Sequence, residues 1–386
     1  MADLLILGNG FDLHCGLKTR FSDFIDFELK KEAIYAFFLK LSDNLVTHKY
    51  NADAIRTPSC VLSNTKLSLS FWEVCFLTLK ALHGGVYGPS FESLTADWKD
   101  VEKVIRTSLL EETGALLSIP IIFSHLYSQA HQTHLLGEGK VIDANAEWLL
   151  LNYIESNSRF PHAKFETEKS VDQARIIFYS YLFSELKDFE QSFGQYLSGQ
   201  ENDNQIYNQT ARAFASKLCN RNTNVVVESF NYTRPAIDCV GFRNIHGTTQ
   251  NPVIGIDADG VDPKDPRFKF TKASRCLMLA IQDEGLTKQD FSVITNIIIY
   301  GHSLNAQDYT YFFNILETKR IQDPSNNCEI TFPYSVYLGT TREAEQTRLH
   351  DAVEDLLNSY DRWTGHPLST VESLYFQKKY HFQEID

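Results

Sequence analysis

Leu4-Leu5-Ile6-Leu7-Gly8-Asn9-Gly10-Phe11-Asp12 opens the chain and decides how the rest is read. Four apolar residues in a row suit a strand buried on both faces, as in a parallel sheet. Glycine at Gly8 and Gly10 lets the backbone turn tightly and approach a phosphate. A helix starting there offers free N–H groups and the positive end of its dipole. Leu13 stands where a third glycine would complete G-x-G-x-x-G, so the stretch also reads as a plain strand-to-helix turn.

Outward from that stretch, three more short apolar runs look like strands: Val225-Val226-Val227, Ile297-Ile298-Ile299-Tyr300 and Val336-Tyr337-Leu338. Between about 18 and 200 the sequence is aromatic-rich and helical in period. Phe21, Phe24, Ile25 and Leu29 follow helical spacing, as do Leu182, Leu186, Phe189, Phe193 and Leu197, with Glu185 and Lys187 on the opposite side. Polar loops are expected near 44–69 and 155–170, and a long Asp-, Pro- and Gly-rich loop over 248–275. Val353, Leu356 and Leu357 mark a helix near the end. The expected fold class is α/β, a Rossmann-like parallel sheet with a large helical insertion. Residues 1–30 and 205–345 form the nucleotide-binding core, 31–204 the helical insertion and 346–386 a C-terminal helical segment.

Bulk properties narrow the function. With 386 residues, 43% hydrophobic and 22% charged, the chain has the makeup of a globular protein with a sizeable core. A net charge of -13 without a basic run argues against nucleic acid as the default partner. No apolar run reaches membrane-spanning length. Cys15, Cys60, Cys75, Cys219, Cys239, Cys276 and Cys328 include no C-x-x-C pair, and no secretory leader is visible. A reducing cytosol and buried, inert thiols are the expectation.

Three further motifs follow predicted strands. In Ser229-Phe230-Asn231-Tyr232-Thr233, Asn231 sits where ligand-contacting residues sit in open α/β sheets, although an Asn there is also a common turn residue. In Ile245-His246-Gly247, a histidine beside glycine has room for a ligand and a pKa suited to proton transfer, against the commoner structural role. Gly301-His302-Ser303-Leu304-Asn305-Ala306-Gln307-Asp308 invites a nucleophile-elbow reading, but Asn305 replaces the closing glycine and Ser303 comes late in the chain. On the other reading Gly301 allows a nucleotide to approach, Ser303 hydrogen-bonds it, and Asp308 caps the next helix or contacts a ribose. Asp257-Ala258-Asp259-Gly260-Val261-Asp262 lacks the glycine position and closing Glu of a calcium loop and reads as a solvated acidic turn. His125, His131 and His134 lack an acidic third ligand, so no metal is expected.

Taken together, these pieces resemble the AbiH family of bacterial phage-abortive-infection proteins. The likeness rests on Leu5–Asp12 with Gly16-Leu17 and Phe21-Ser22-Asp23-Phe24, on Trp98-Lys99-Asp100-Val101-Glu102, and on Phe230–Thr233. It continues through Ile245–Gly247 with Gly255-Ile256-Asp257, and Gly301–Leu304 with Asp308. More distantly the set resembles the NAD site of sirtuin-like domains. That likeness implies Gly8 and Gly10 at the pyrophosphate, Asn231 and His246 at the nicotinamide ribose, and Gly301 with Ser303 on the adenosine side; Asn9, Phe11, Asp12 and Asp308 complete the expected cofactor-binding set. The sirtuin Gly-Ala-Gly is Gly-Asn-Gly here, and Thr233 stands where an Asp follows the Asn. Absence of the four-cysteine zinc module argues against protein deacetylation.

The resemblance thus implies a cytosolic defence effector that hydrolyses NAD at its nicotinamide–ribose bond, with Asn231 and His246 as catalytic residues. Its ligand is a small-molecule nucleotide, with no membrane partner and no metal. A phage protein as trigger and a homo-oligomeric assembly stay open. Two alternatives also stay open: a nuclease or other nucleotide-processing enzyme, and a non-catalytic nucleotide-binding phage sensor.

Overall fold

The computed structural model describes residues 2–31, 34–36, 38–39, 69–83, 98–110, 117–132, 146–202, 204–279, 291–336, 339–365 and 369–385. The expected loop over 44–68, His134, and Tyr337 and Leu338 fall outside them, as do the side chains of Trp98, Lys99 and Asp100.

A six-stranded sheet, all parallel, carries the opening motif at its centre. Its members are β1 (Ala2–Leu7), β2 (Val225–Ser229), β3 (Gly241–Asn244), β6 (Ile294–Tyr300), β7 (Glu329–Tyr334) and β8 (Tyr380–Glu384), in the order β3-β2-β1-β6-β7-β8. Two short strands, β4 (Gly247–Thr248) and β5 (Asn251–Pro252), form a separate antiparallel pair. β1 pairs with β2 on one side and with β6 on the other, so that Leu7 lies opposite both Ser229 and Tyr300.

Every residue of β1 is buried, which explains its unbroken apolar run. Alternate side chains feed two cores. Leu4 and Ile6 pack with Ile297, Ile299, Phe312, Leu356 and Tyr360. Leu5 and Leu7 pack with Phe11, Phe214, Val227, Ile298 and Tyr300. The first core draws on the helices Tyr309–Thr318 and Arg342–Thr364, the second on Asn9–His14 and Gln205–Leu218. Period-2 alternation of one strand thereby sets helices on both faces of the sheet.

Two expectations need correction. Of the fourth expected strand, Val336–Leu338, Val336 alone is described, and it is an exposed loop residue; a strand that was not expected runs over Glu329–Tyr334. Glu329, Thr331 and Pro333 break the apolar run that sequence reasoning looks for. Pro333 is tolerated because it lies beyond the stretch of β7 paired with β6, where no N–H is missed. The C-terminal helical segment is present as Arg342–Thr364, with Leu349, Val353, Leu356 and Leu357 buried, and as Thr370–Phe376, but it also contributes the edge strand β8. The alternation in Tyr380-His381-Phe382-Gln383-Glu384 was the available signal.

The chain forms two compact units. One comprises Met1–Thr19, Leu197–Pro252 and Leu277–Asp386 and holds the sheet. The other comprises Arg20–Tyr196 and Val253–Cys276. Its helices include Phe21–Leu29, Phe71–His83, Trp98–Leu110, Ile119–His131, Ala146–Ser156 and most of Val171–Glu201. Its core is aromatic: Phe189 meets Phe21, Phe24 and Phe76 at ring-centroid distances of 6.2, 5.9 and 5.6 Å. Leu182, Leu186, Phe189 and Phe193 are buried as their spacing requires. Glu185 is not on the opposite, solvated side; it is buried. There it accepts the Phe71 N–H (2.6 Å) and pairs with Arg159 (2.9 Å), and burial pushes its carboxyl up to about 7. A glutamate with those partners occupies a core position that period alone assigns to apolar residues.

Candidate functional site

Four adjacent parallel strands end in the four predicted motifs. Gly8 follows β1, Phe230-Asn231 follows β2, Ile245-His246 follows β3, and Gly301-His302 follows β6. Carboxyl ends of parallel strands are where open α/β sheets bind ligands. The ladders extend past the strands: Phe230 N–H donates to Leu7 O (2.8 Å) and Ile245 N–H to Ser229 O (2.7 Å). These bonds fix where the next side chains emerge.

The glycines have a reason visible only in three dimensions. Gly8 N–H donates to Tyr300 O (3.0 Å), Gly10 N–H to Gly301 O (2.9 Å), and Phe11 N–H to Gly8 O (2.9 Å). A Cβ on Gly10 would lie 2.7 Å from Gly301 Cα, and one on Gly8 would overlap the His302 backbone. Gly301 has φ +70, and its Cβ would lie 2.5 Å from Phe11 N. The two glycine loops therefore press backbone to backbone, and the amides of Gly8, Gly10 and Phe11 are already donated to carbonyls. Phe11 is wholly buried, 5.9 Å from the Phe214 ring and 6.5 Å from Tyr300. Asn9 Oδ1 accepts from the Thr19 hydroxyl (2.6 Å).

Asp12 faces a polar pocket of its own. The Tyr207 hydroxyl donates to one carboxylate oxygen (2.7 Å) and the Thr233 hydroxyl to the other (2.6 Å). Loss of water around this fully buried group pushes its pKa up to about 6, although both hydroxyls and Asn231 pull the other way. Asn231 is itself 5% exposed; its Nδ2 donates to Gly8 O (3.0 Å). Asn244 straps the same turn, donating to the carbonyls of Asn231 and Thr233 at 2.8 Å each. Asn231 is thus part of the buried frame as well as a candidate ligand contact, and replacing it disturbs both.

His246, Asp308 and His302 form the second cluster. His246 Nε2 lies 3.1 Å from Asp308 Oδ1, and His302 Nε2 lies 3.4 Å from Asp308 Oδ2. Their side chains are 12%, 6% and 5% exposed for His246, Asp308 and His302, so the cluster is largely out of water. Asp308 sits at the N-terminus of the helix Tyr309–Thr318, yet its side chain makes no capping bond. Phe230 places its ring 5.4 Å from His246 and 4.4 Å from His302, and stacks on Phe312 at 5.4 Å. Ser303 Oγ accepts from Asn305 Nδ2 (3.1 Å).

The structure therefore brings together Gly8, Gly10 and Gly301, and separately joins Asn231 to Gly8 and His246 to Asp308. Phe11 goes to the core. From sequence alone His302, Tyr207, Thr233 and Asn244 had no role. His302 carried one signal: like His246, it adjoins a glycine just after a strand. A cavity of about 450 Å³ lies among His14, Gln209, Thr210, Ala213, Phe214 and Lys217, and none of the residues singled out in the sequence lines it. Among the described residues, the one group of three with metal-ligating atoms in mutual reach is His350, Asp351 and Glu354, all exposed. Asp257 instead closes a local turn, accepting the Asp259 N–H (2.9 Å). No described helix is long and apolar enough to cross a membrane. Cys15, Cys75, Cys219 and Cys328 are buried thiols, and burial, with Asp12 nearby, pushes Cys15 up to about 12.

Comparison with known proteins gives one match. Residues 4–334 match the family described as bacteriophage abortive infection AbiH. No curated protein and no solved structure matches the chain.

Proposed function

The chain belongs to the AbiH family, and from that premise we propose that it is an anti-phage effector that binds a nucleotide at the carboxyl end of its sheet and hydrolyses NAD at the nicotinamide–ribose bond. The observation that carries this reading is a histidine held by a buried carboxylate, His246 on Asp308, with His246 following β3 and Asp308 lying in the segment after β6, both past the carboxyl ends of the sheet strands. Counted by themselves, the six strands run 3-2-1-4-5-6, the order of dinucleotide-binding Rossmann folds. The chain reverses direction across the sheet between β1 and β6, where the two glycine loops meet. NAD as the ligand rests on the likeness of these loops, Asn231 and His246 to the sirtuin-like set.

In the proposed reaction the glycosidic bond breaks with both electrons passing to the pyridinium nitrogen. Neutral nicotinamide leaves and the ribose becomes oxocarbenium-like. Water adds to the anomeric carbon, and His246 takes the proton that water loses. The products are nicotinamide, ADP-ribose and one proton. A positioned base of this kind is worth roughly 100- to 10,000-fold in rate. Asn231 orients the ribose or the water through its carbonyl oxygen, since the two N–H groups of its Nδ2 serve Gly8 O and Asp12.

The backbone amides of the glycine loop favour a second reading at one point. Gly8, Gly10 and Phe11 have no N–H left for a pyrophosphate, which suits a nucleotide gripped elsewhere, whether processed as RNA or only sensed. Incubating the purified protein with NAD and, in parallel, with tRNA separates the two. Release of nicotinamide and ADP-ribose with tRNA intact supports the hydrolase. Cleaved tRNA with NAD intact, or tight binding with no turnover, overturns it.

A further inference from the structure

Asp308 occupies a place where an aspartate ordinarily caps a helix, and it does something else. At the start of Tyr309–Thr318 a carboxylate could accept the free N–H groups of the first turn. Its side chain makes no such bond and turns instead between two imidazole rings, 3.1 Å from His246 Nε2 and 3.4 Å from His302 Nε2. Asn305 caps the helical turn Ala306–Asp308 that leads into this helix, accepting the Gln307 N–H (2.9 Å), and the Asp308 carboxylate makes its contact 62 residues away in the chain.

The tautomer of the second ring follows from its other partner. Leu304 N–H donates to His302 Nδ1 (2.9 Å), so Nδ1 is an acceptor and the ring proton sits on Nε2, facing Asp308. Leu304 holds φ 49, a backbone conformation that a leucine seldom adopts. An ionised carboxylate accepts only, so a neutral His246 also presents its proton on Nε2. Phe230 sets its ring against both imidazoles, and Phe312 backs it. The titratable groups around His246 are Asp308, His302, and the hydroxyl-bearing rings of Tyr232 and Tyr311, each 6.3 Å from it.

We infer that Asp308 is a positioning residue, flanked on its other side by His302, that fixes His246 with its proton on Nε2 and leaves Nδ1 as the atom that accepts the proton in the reaction. The inference rests on the hydrolytic reading of the same site for the last step only. Nδ1 takes the proton from water as water bonds to the ribose carbon, and the resulting imidazolium is steadied by the Asp308 charge at Nε2. His302 stands on the other side of the carboxylate, its Nε2 3.4 Å from Asp308 Oδ2, and fills the space there.

The test uses the full chain labelled with ¹⁵N-histidine, read by long-range proton–nitrogen NMR, together with steady-state NAD turnover. The parent is expected to show both His246 and His302 protonated on Nε2 at neutral pH. Asp308→Asn, whose amide can donate as well as accept, is expected to mix the His246 tautomers. It should also lower kcat by about 100-fold or more with KM little changed. His302→Gln keeps a donor toward Asp308 and is expected to lose less than tenfold. A parent His246 protonated on Nδ1 overturns the proposal, and that spectrum decides even if Asp308→Asn fails to fold. Unchanged His246 signals in Asp308→Asn overturn it too. Expected ring signals with no NAD turnover by the parent retire the hydrolase reading and keep Asp308 as the residue that orients His246.

Discussion

At the scale of single residues, the site shows what a pattern of glycines means only after the backbone is placed. Gly8 and Gly10 were legible as a turn, but their partner Gly301 is 291 positions from Gly10, and no local spacing announces it. Gly301→Ala combines an overlap with Phe11 N and a positive φ. It should cost about 3 kcal/mol or more in urea unfolding, whereas Gly16→Ala, with open space around its Cβ, carries only the strain of its φ of +90. Equal losses at the two positions would refute the close packing of the loops. Asp12 gives a prediction with a sign. Its folded pKa is about 6 against 3.8 for the unfolded chain. Stability from its protonated form is therefore complete below pH 3.8 and lost as pH rises through about 6. Asp12→Asn can keep both hydroxyl contacts without the buried charge. Relative to the parent it should gain up to about 3 kcal/mol between pH 4 and pH 7. A stability difference independent of pH would contradict the buried-charge assignment.

At the scale of elements, continuous apolar runs identified β1, β2 and β6 because a strand buried on both faces has no polar positions to confuse the period. β7 and β8 were missed for the converse reason. They lie toward one edge, their exposed positions carry Glu, His and Gln, and Pro333 reads as a breaker unless one knows that the neighbouring strand has already ended. In the helical unit, spacing found the buried face of the 31-residue helix Val171–Glu201 but not its polar member Glu185. Phe189, wholly buried among aromatic rings, should cost about 3–5 kcal/mol on truncation to Ala. Ile176 on the same helix is 43% exposed, and its truncation should change stability by less than about 0.5 kcal/mol. Comparable thermal shifts for the two would show that the helix buries a different face.

At the scale of the whole molecule, the sheet order collects residues from four strand ends into two buried polar clusters. Asn231 and His246 could be picked out because each follows a strand. The contacts that give them chemistry could not, since Asp12 reaches Tyr207 and Thr233 across 195 and 221 residues, and Asp308 reaches back to His246 across 62. Asn231 also holds Gly8 O, so Asn231→Ala should lose about 1–3 kcal/mol of stability along with activity, and His246→Ala, which takes a partner from the buried Asp308, should lose activity along with about 1–3 kcal/mol. If both act on one transition state, the double variant should turn over NAD no more slowly than either single one; fully additive losses would separate their roles. The most direct measurement is the NAD content of cells expressing the protein during phage infection, for the parent and for His246→Ala. NAD is expected to fall in cells with the parent, and cells with His246→Ala are expected to keep their NAD and lose protection. A His246→Ala protein that still depletes NAD and still protects would contradict the catalytic role of His246.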